Sequence, residues 1–222
     1  MCFSMEASFA GGIIIGGIGV ATICKVHKPS QIVFASIPLF FGFQQIIEGC
    51  MWFILQHPSY EQYQKPIMYA YLIMAQVFWP IMIPLAVLTM EENKKRKKVL
   101  WGLLGIGLIL SVYYIACLVF INVTPKIGGY HIEYLDATPK PAEIPAFLLY
   151  LATSITPLFV SSIKRTHLLG ILMALSCLVT IIFFTHYLTS VWCFFAAIIS
   201  IIIFWILLDA KRMHVLINKK VY

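Results

Sequence analysis

Charge is what this chain lacks most: only 11% of its 222 residues are charged, against about a quarter in a soluble domain. Acidic residues are scarcer still, with 9 Asp and Glu against 16 Lys and Arg. That excludes an ordinary soluble globule. The alternating segments of about ten residues that build a membrane β-barrel are missing too. No CxxC, HxxxH or HExxH spacing occurs, so no metal motif is present. P-loop, GxSxG and dinucleotide fingerprints are also absent. No lysine lies in the middle of the last apolar run, which excludes retinal Schiff-base chemistry, and the triple-histidine zinc set of ceramidase-like hydrolases is missing. No internal repeat supports an inverted-repeat transporter.

What is present is hydrophobic sequence, 61% of the chain, in runs long enough to cross a bilayer. The expected fold is all-α: a polytopic membrane protein of seven transmembrane helices. The expected spans are about 7–24, 32–55, 66–90, 99–123, 145–163, 168–188 and 191–208, forming one domain over 1–222. Basic residues sit after alternate spans. Lys25 and Lys28 follow the first, Lys94, Lys95, Arg96, Lys97 and Lys98 the third, Lys164 and Arg165 the fifth, and Lys211, Arg212, Lys219 and Lys220 the seventh. Only Lys65, Lys126 and Lys140 fall elsewhere. By the positive-inside rule the N-terminus is outside and the C-terminus cytoplasmic, in a multi-pass protein of the inner (plasma) membrane. The 94–98 block reads as a topogenic anchor beside anionic headgroups, so the net charge of +7 calls for no nucleic acid. Glu6 ahead of the first run and Lys25 behind it fit an uncleaved first span rather than a signal peptide.

Two features break the pattern. The exterior loop 124–144 is rich in Gly, Pro and charge, and its alternating stretch 130–135 predicts a short extended element. Prolines at 38, 80, 84 and 157 fall inside spans, where each frees a carbonyl, and FWPIMIP at 78–84 predicts a distorted third span. Gly12 and Gly16 in the first span suit close packing on a neighbouring helix.

The chemical clue lies in the second span, where FGFQQIIEGCMW carries Gln44, Gln45 and Glu48. A carboxylate in hydrocarbon costs roughly 2.5–3.5 kcal/mol on insertion scales, so it marks a functional site by default. Gln44, Glu48 and Trp52 share one helical stripe, with Gln45 beside it. Gln76 is expected near the midplane of the third span. His186 and Cys193 fall at exterior span ends, His131 in the exterior loop, and Cys2 at the exported N-terminus. These imply an outward-facing polar pocket centred on Glu48. The competing interpretation is a hydrogen-bond network that locks the helices together. Cys2 and Cys193 are placed where a disulfide, or joint metal ligation with a histidine, could form, but no motif spacing supports either.

The opening MCFSMEASF, QQIIEG at 44–49, FWP at 78–80, GYHIEY at 129–134 and WCFFAA at 192–197 resemble an uncharacterised prokaryotic membrane-protein family. Its members open Met-Cys-Phe-Ser and have about seven helices. The resemblance implies a shared fold and carries no activity or cofactor. It implies that Cys2, Ser4, Gln44, Gln45, Glu48, Trp79, His131 and Cys193 belong to the family pattern. Three functions remain open: binding, sensing or transport of a small ligand or cation; a membrane enzyme using Glu48 as base with His186 or Cys2; and a structural partner. Beyond the lipid bilayer no partner or catalytic residue is assigned.

Overall fold

A computed structural model describes residues 4–129, 131–135, 140–183 and 199–208. Helix α1 is Met5–Ile23, begun by Ser4, whose Oγ accepts the Ala7 amide at 3.2 Å. A 3-10 turn at Pro29–Gln31 leads into α2, Ile32–Gln56. A second 3-10 turn, Pro58–Tyr63, opens a rod made of α3 (Gln64–Leu72), a π-helical stretch (Ile73–Phe78) and α4 (Trp79–Met90). Helix α5 is Lys94–Phe120, capped by Asn93, whose Oδ1 accepts the Lys95 and Arg96 amides. Strands β1 (Thr124–Gly128) and β2 (His131–Leu135) form an antiparallel hairpin. Helices α6 (Lys140–Val160), α7 (Lys164–Phe183) and α8 (Ile199–Leu208) follow.

The seven-span expectation is corrected by the helices themselves. Among the described residues, four are long and apolar enough to cross a membrane: Met5–Ile23, Pro29–Gln56, Pro58–Met90 and Lys94–Phe120. Later apolar stretches are shorter, at Ile144–Val160 and Ile199–Leu208. The first of these is flanked by the polar start of α6 and carries Pro145 and Pro157 within the helix. It falls short of the roughly 20 residues a bilayer requires. The inside–outside assignment rested on alternation across seven spans and falls with that count. The molecule is a mostly α-helical, multi-pass membrane protein, and the hairpin means that it is not purely helical. The basic block lies inside α5 as its first turns, not in a loop before it.

The prolines explain the distorted third span. Pro80 has no N–H to close onto the carbonyl four residues back, and the backbone widens to a π-helix just before it. Neighbours take up the loosened carbonyls. Ser111 of α5 donates to the Val77 oxygen at 2.7 Å, and Tyr150 of α6 to the Ala75 oxygen at 2.8 Å. Pro84 similarly frees the Pro80 carbonyl, and Gly107 of α5 sits against that oxygen, where any Cβ would collide.

Helix α2 is the central element, packed on α1, α3 and α4. Its contact with α1 is backbone to backbone: a Cβ on Gly42 would lie 2.5 Å from the Gly16 nitrogen, and one on Gly12 would lie 2.7 Å from Ile46. The core splits into two clusters. One joins α1, α2, α4 and α5 with Leu158, Leu169, Met173 and the α8 isoleucines. The other gathers Ile47, Met51, Trp52, Met68, Tyr71 and Leu118 under Ile132 of the hairpin. Gly129 at φ 63° makes the hairpin turn, a backbone angle that disfavours a side chain. Tyr134 stacks on Tyr71 with ring centroids 5.1 Å apart, so the hairpin is seated on the bundle.

Candidate functional site

Helix α2 carries the polar cluster inside the bundle. Gln45 and Glu48 are both 0% exposed, and Gln44, Trp52 and Trp79 are buried with them. Glu48 therefore does not face lipid. One helical turn separates Gln45 from Glu48, and the Gln45 Nε2 donates to the Glu48 Oε2 at 3.1 Å. Trp79, at the first turn of α4, donates from Nε1 to the Gln44 Oε1 at 2.8 Å and stacks on Phe41 at 4.1 Å. The two neighbouring glutamines thus do different work. Gln44 ties α2 to α4, while Gln45 holds the carboxylate.

Two atoms of the cluster are left over. The Gln45 Oε1 and the Trp52 Nε1 are buried and have no hydrogen-bond partner among the described residues. Buried polar groups are normally paired, and each one left unmade costs about 1–3 kcal/mol. Ser8 of α1 is fully buried near this level, because its neighbour Phe9 lies against Gly49.

The other expected residues divide. Gln76 is half-buried on the π-helical stretch and has no hydrogen bond to the α2 glutamines or Glu48. His131 is buried in β2, opposite Gly128, beside the Ile132 that caps the Trp52 cluster. Cys2, His186 and Cys193 lie outside the described residues, as does any pairing between the two cysteines.

A second polar cluster was not anticipated. At the opposite end of the bundle, the α4–α5 turn meets the α6–α7 turn. Glu91 Oε1 accepts the Glu92 amide at 3.0 Å, the Asn93 amide at 2.9 Å and the Ser162 hydroxyl at 2.7 Å. Its Oε2 accepts the Ser162 amide at 2.6 Å. Arg96 donates to the Val160 and Ser161 carbonyls at 2.8 and 2.6 Å, and His167 Nε2 lies 2.9 Å from the Ser161 oxygen. Burial pushes the Glu91 carboxyl up, but the Ser162 side chain and the Asn93, Ser162 and Glu92 amides outweigh it and hold it below its usual range. Arg96, part of the block read from sequence as a topogenic anchor, is a structural tie, and His167 is another. The sequence signal for this was Asn93 before a helical run, a capping signature hidden by the basic block that follows it.

A family of unknown function (DUF6629) matches residues 1–216. The chain belongs to that family. The DUF6629 match takes in all of α1 to α8, so the α2 cluster and the Glu91 tie both lie in the family's own region. Seven helices, which the sequence resemblance implied for such a family, are not what this member's described residues contain: four qualify as spans. No curated protein and no solved structure matches the chain.

Proposed function

We propose that this protein binds a small ligand or cation within the membrane, at a site on α2 where Glu48 supplies the counter-charge. The finer localisation that goes with this reading is the inner (plasma) membrane. The observation that carries it is Gln45. Its amide nitrogen is committed to Glu48, while its carbonyl oxygen, equally buried, has no partner among the described residues. That oxygen and the Glu48 carboxylate are acceptors, suited to a cation or to a ligand rich in N–H or O–H donors. Trp52 Nε1 adds a donor two turns along the same helix. Gln44, Gln76, Trp79 and His131 form the surrounding wall of the proposed site, and His186, Cys2 and Cys193 remain candidates for its outer edge. Sensing and transport both use such a site. The π-helical stretch beside Gln76 is the element we assign to any movement, since π-bulges recur at functional positions.

A packing lock is the second reading, favoured by the Trp79–Gln44 bond, which stitches two helices without involving a ligand. Thermal unfolding of the purified protein across a set of monovalent cations, divalent cations and small amines separates the two. Binding predicts that one class raises the unfolding temperature of the native chain and leaves Glu48→Gln unchanged. If every compound acts equally on both proteins, the ligand site is wrong.

A further inference from the structure

We infer that the lipid-facing side of α5 is a binding site for one anionic phospholipid. Lys94, Lys98 and Trp101 succeed one another at helical spacing, with Lys97 flanking them, and the stripe continues through Gly105 and Leu108. Lys94, Lys98 and Trp101 are exposed, Trp101 by 61%. No ion pair takes up these lysines among the described residues. Arg96 points the other way, its guanidinium held by the Val160 and Ser161 carbonyls, so the charge on the stripe is lysine alone.

Below the lysines the surface changes in the order in which a phospholipid changes. Trp101 sits where the glycerol backbone would lie, an interfacial position that tryptophan favours. Nothing lies within 4 Å of a Cβ built on Gly105, which leaves a shallow notch beside the ring. Leu108 then offers an exposed apolar surface for an acyl chain, and Val112, 66% exposed, extends it. From Trp101 to Val112 the helix rises about 16 Å, close to one leaflet of a core about 30 Å thick. A headgroup with a net negative phosphodiester satisfies the lysines; a zwitterionic one carries its own cation into them. Free phosphate would leave the tryptophan and the notch unused.

The test places the whole protein in mixed bilayers in which either phosphatidylglycerol or phosphatidylcholine carries brominated acyl chains. Tryptophan quenching is read, and a Trp101→Phe variant isolates the signal of that ring. Phosphatidylglycerol is expected to be enriched at Trp101 over its share of the bilayer, and the enrichment to fall about fivefold for each of Lys94→Gln and Lys98→Gln. Lys95→Gln, on another face of the helix, is expected to leave it in place. Equal quenching by both lipids overturns the site. So does a Lys95→Gln effect as large as that of Lys94→Gln, which would mean diffuse surface charge. Loss of the enrichment on adding soluble glycerol 1-phosphate would also overturn it, by showing that the phosphoester alone suffices.

Discussion

Glu91 and Glu48 are both buried carboxylates, and the two are held in different ways. Glu91 accepts four hydrogen bonds, three from backbone amides and the Ser162 hydroxyl, and thereby clamps one interhelical turn to another. Glu48 lies within a span and accepts from the Gln45 amide nitrogen, and the Gln45 oxygen has no partner among the described residues. A satisfied carboxylate holding two turns together is a fastening. The spare buried oxygen of Gln45, beside the Glu48 carboxylate, is what the proposed ligand site rests on. Natural proteins break local rules of polar pairing most often at functional sites.

The contrast breaks most sharply under mutation. Glu91→Ala leaves the Ser162 hydroxyl and three amides without their acceptor, and unfolding in detergent should show a loss of about 3 kcal/mol. Glu48→Gln keeps the shape and removes a charge from hydrocarbon, so its stability should stay within about 1 kcal/mol of the native chain or rise. Acid should act on the same side. The Glu91 carboxyl is depressed in the folded protein from an ordinary value near 4.5. Its contribution is therefore complete above that ordinary value and disappears as pH falls through the lower folded one. Unfolding curves followed downward from pH 5 should steepen in the native chain, and that part of the acid dependence should be missing in Glu91→Gln. The smallest effect belongs to the α2–α4 stitch. Trp79→Phe removes the donor to Gln44 while keeping an aromatic ring on Phe41, and should cost about 1 kcal/mol in detergent unfolding.

Much of this architecture was legible in the chain. The first two spans, the disturbed run at 78–84 and the extended element at 130–135 followed from hydropathy, proline and alternation, because those are local causes. The polar group on α2 was equally legible, since Gln44, Glu48 and Trp52 share a stripe at any helical geometry. Three things were not. The seven-span count assumed that each apolar run reaches bilayer length, whereas the described apolar part of α6 stops at Val160, just short of it. The basic block falls between the expected spans 66–90 and 99–123, whereas Asn93 caps it into α5. The Glu91 tie joins residues about 70 positions apart, at separations of 71 along the chain, and no local pattern foretells such a meeting. The division of labour between Gln44 and Gln45 also depended on where Trp79 falls, which is a tertiary fact.

The central claim is that the α2 cluster holds a ligand rather than only holding helices. Native mass spectrometry with elemental analysis, run on the native chain and on Glu48→Gln purified alike, tests it most directly. The account predicts a small bound species on the native protein that is lost in Glu48→Gln while the unfolding temperature holds or rises. Two bare proteins, with Glu48→Gln destabilised as much as Glu91→Ala, would contradict it and leave the cluster as a packing device.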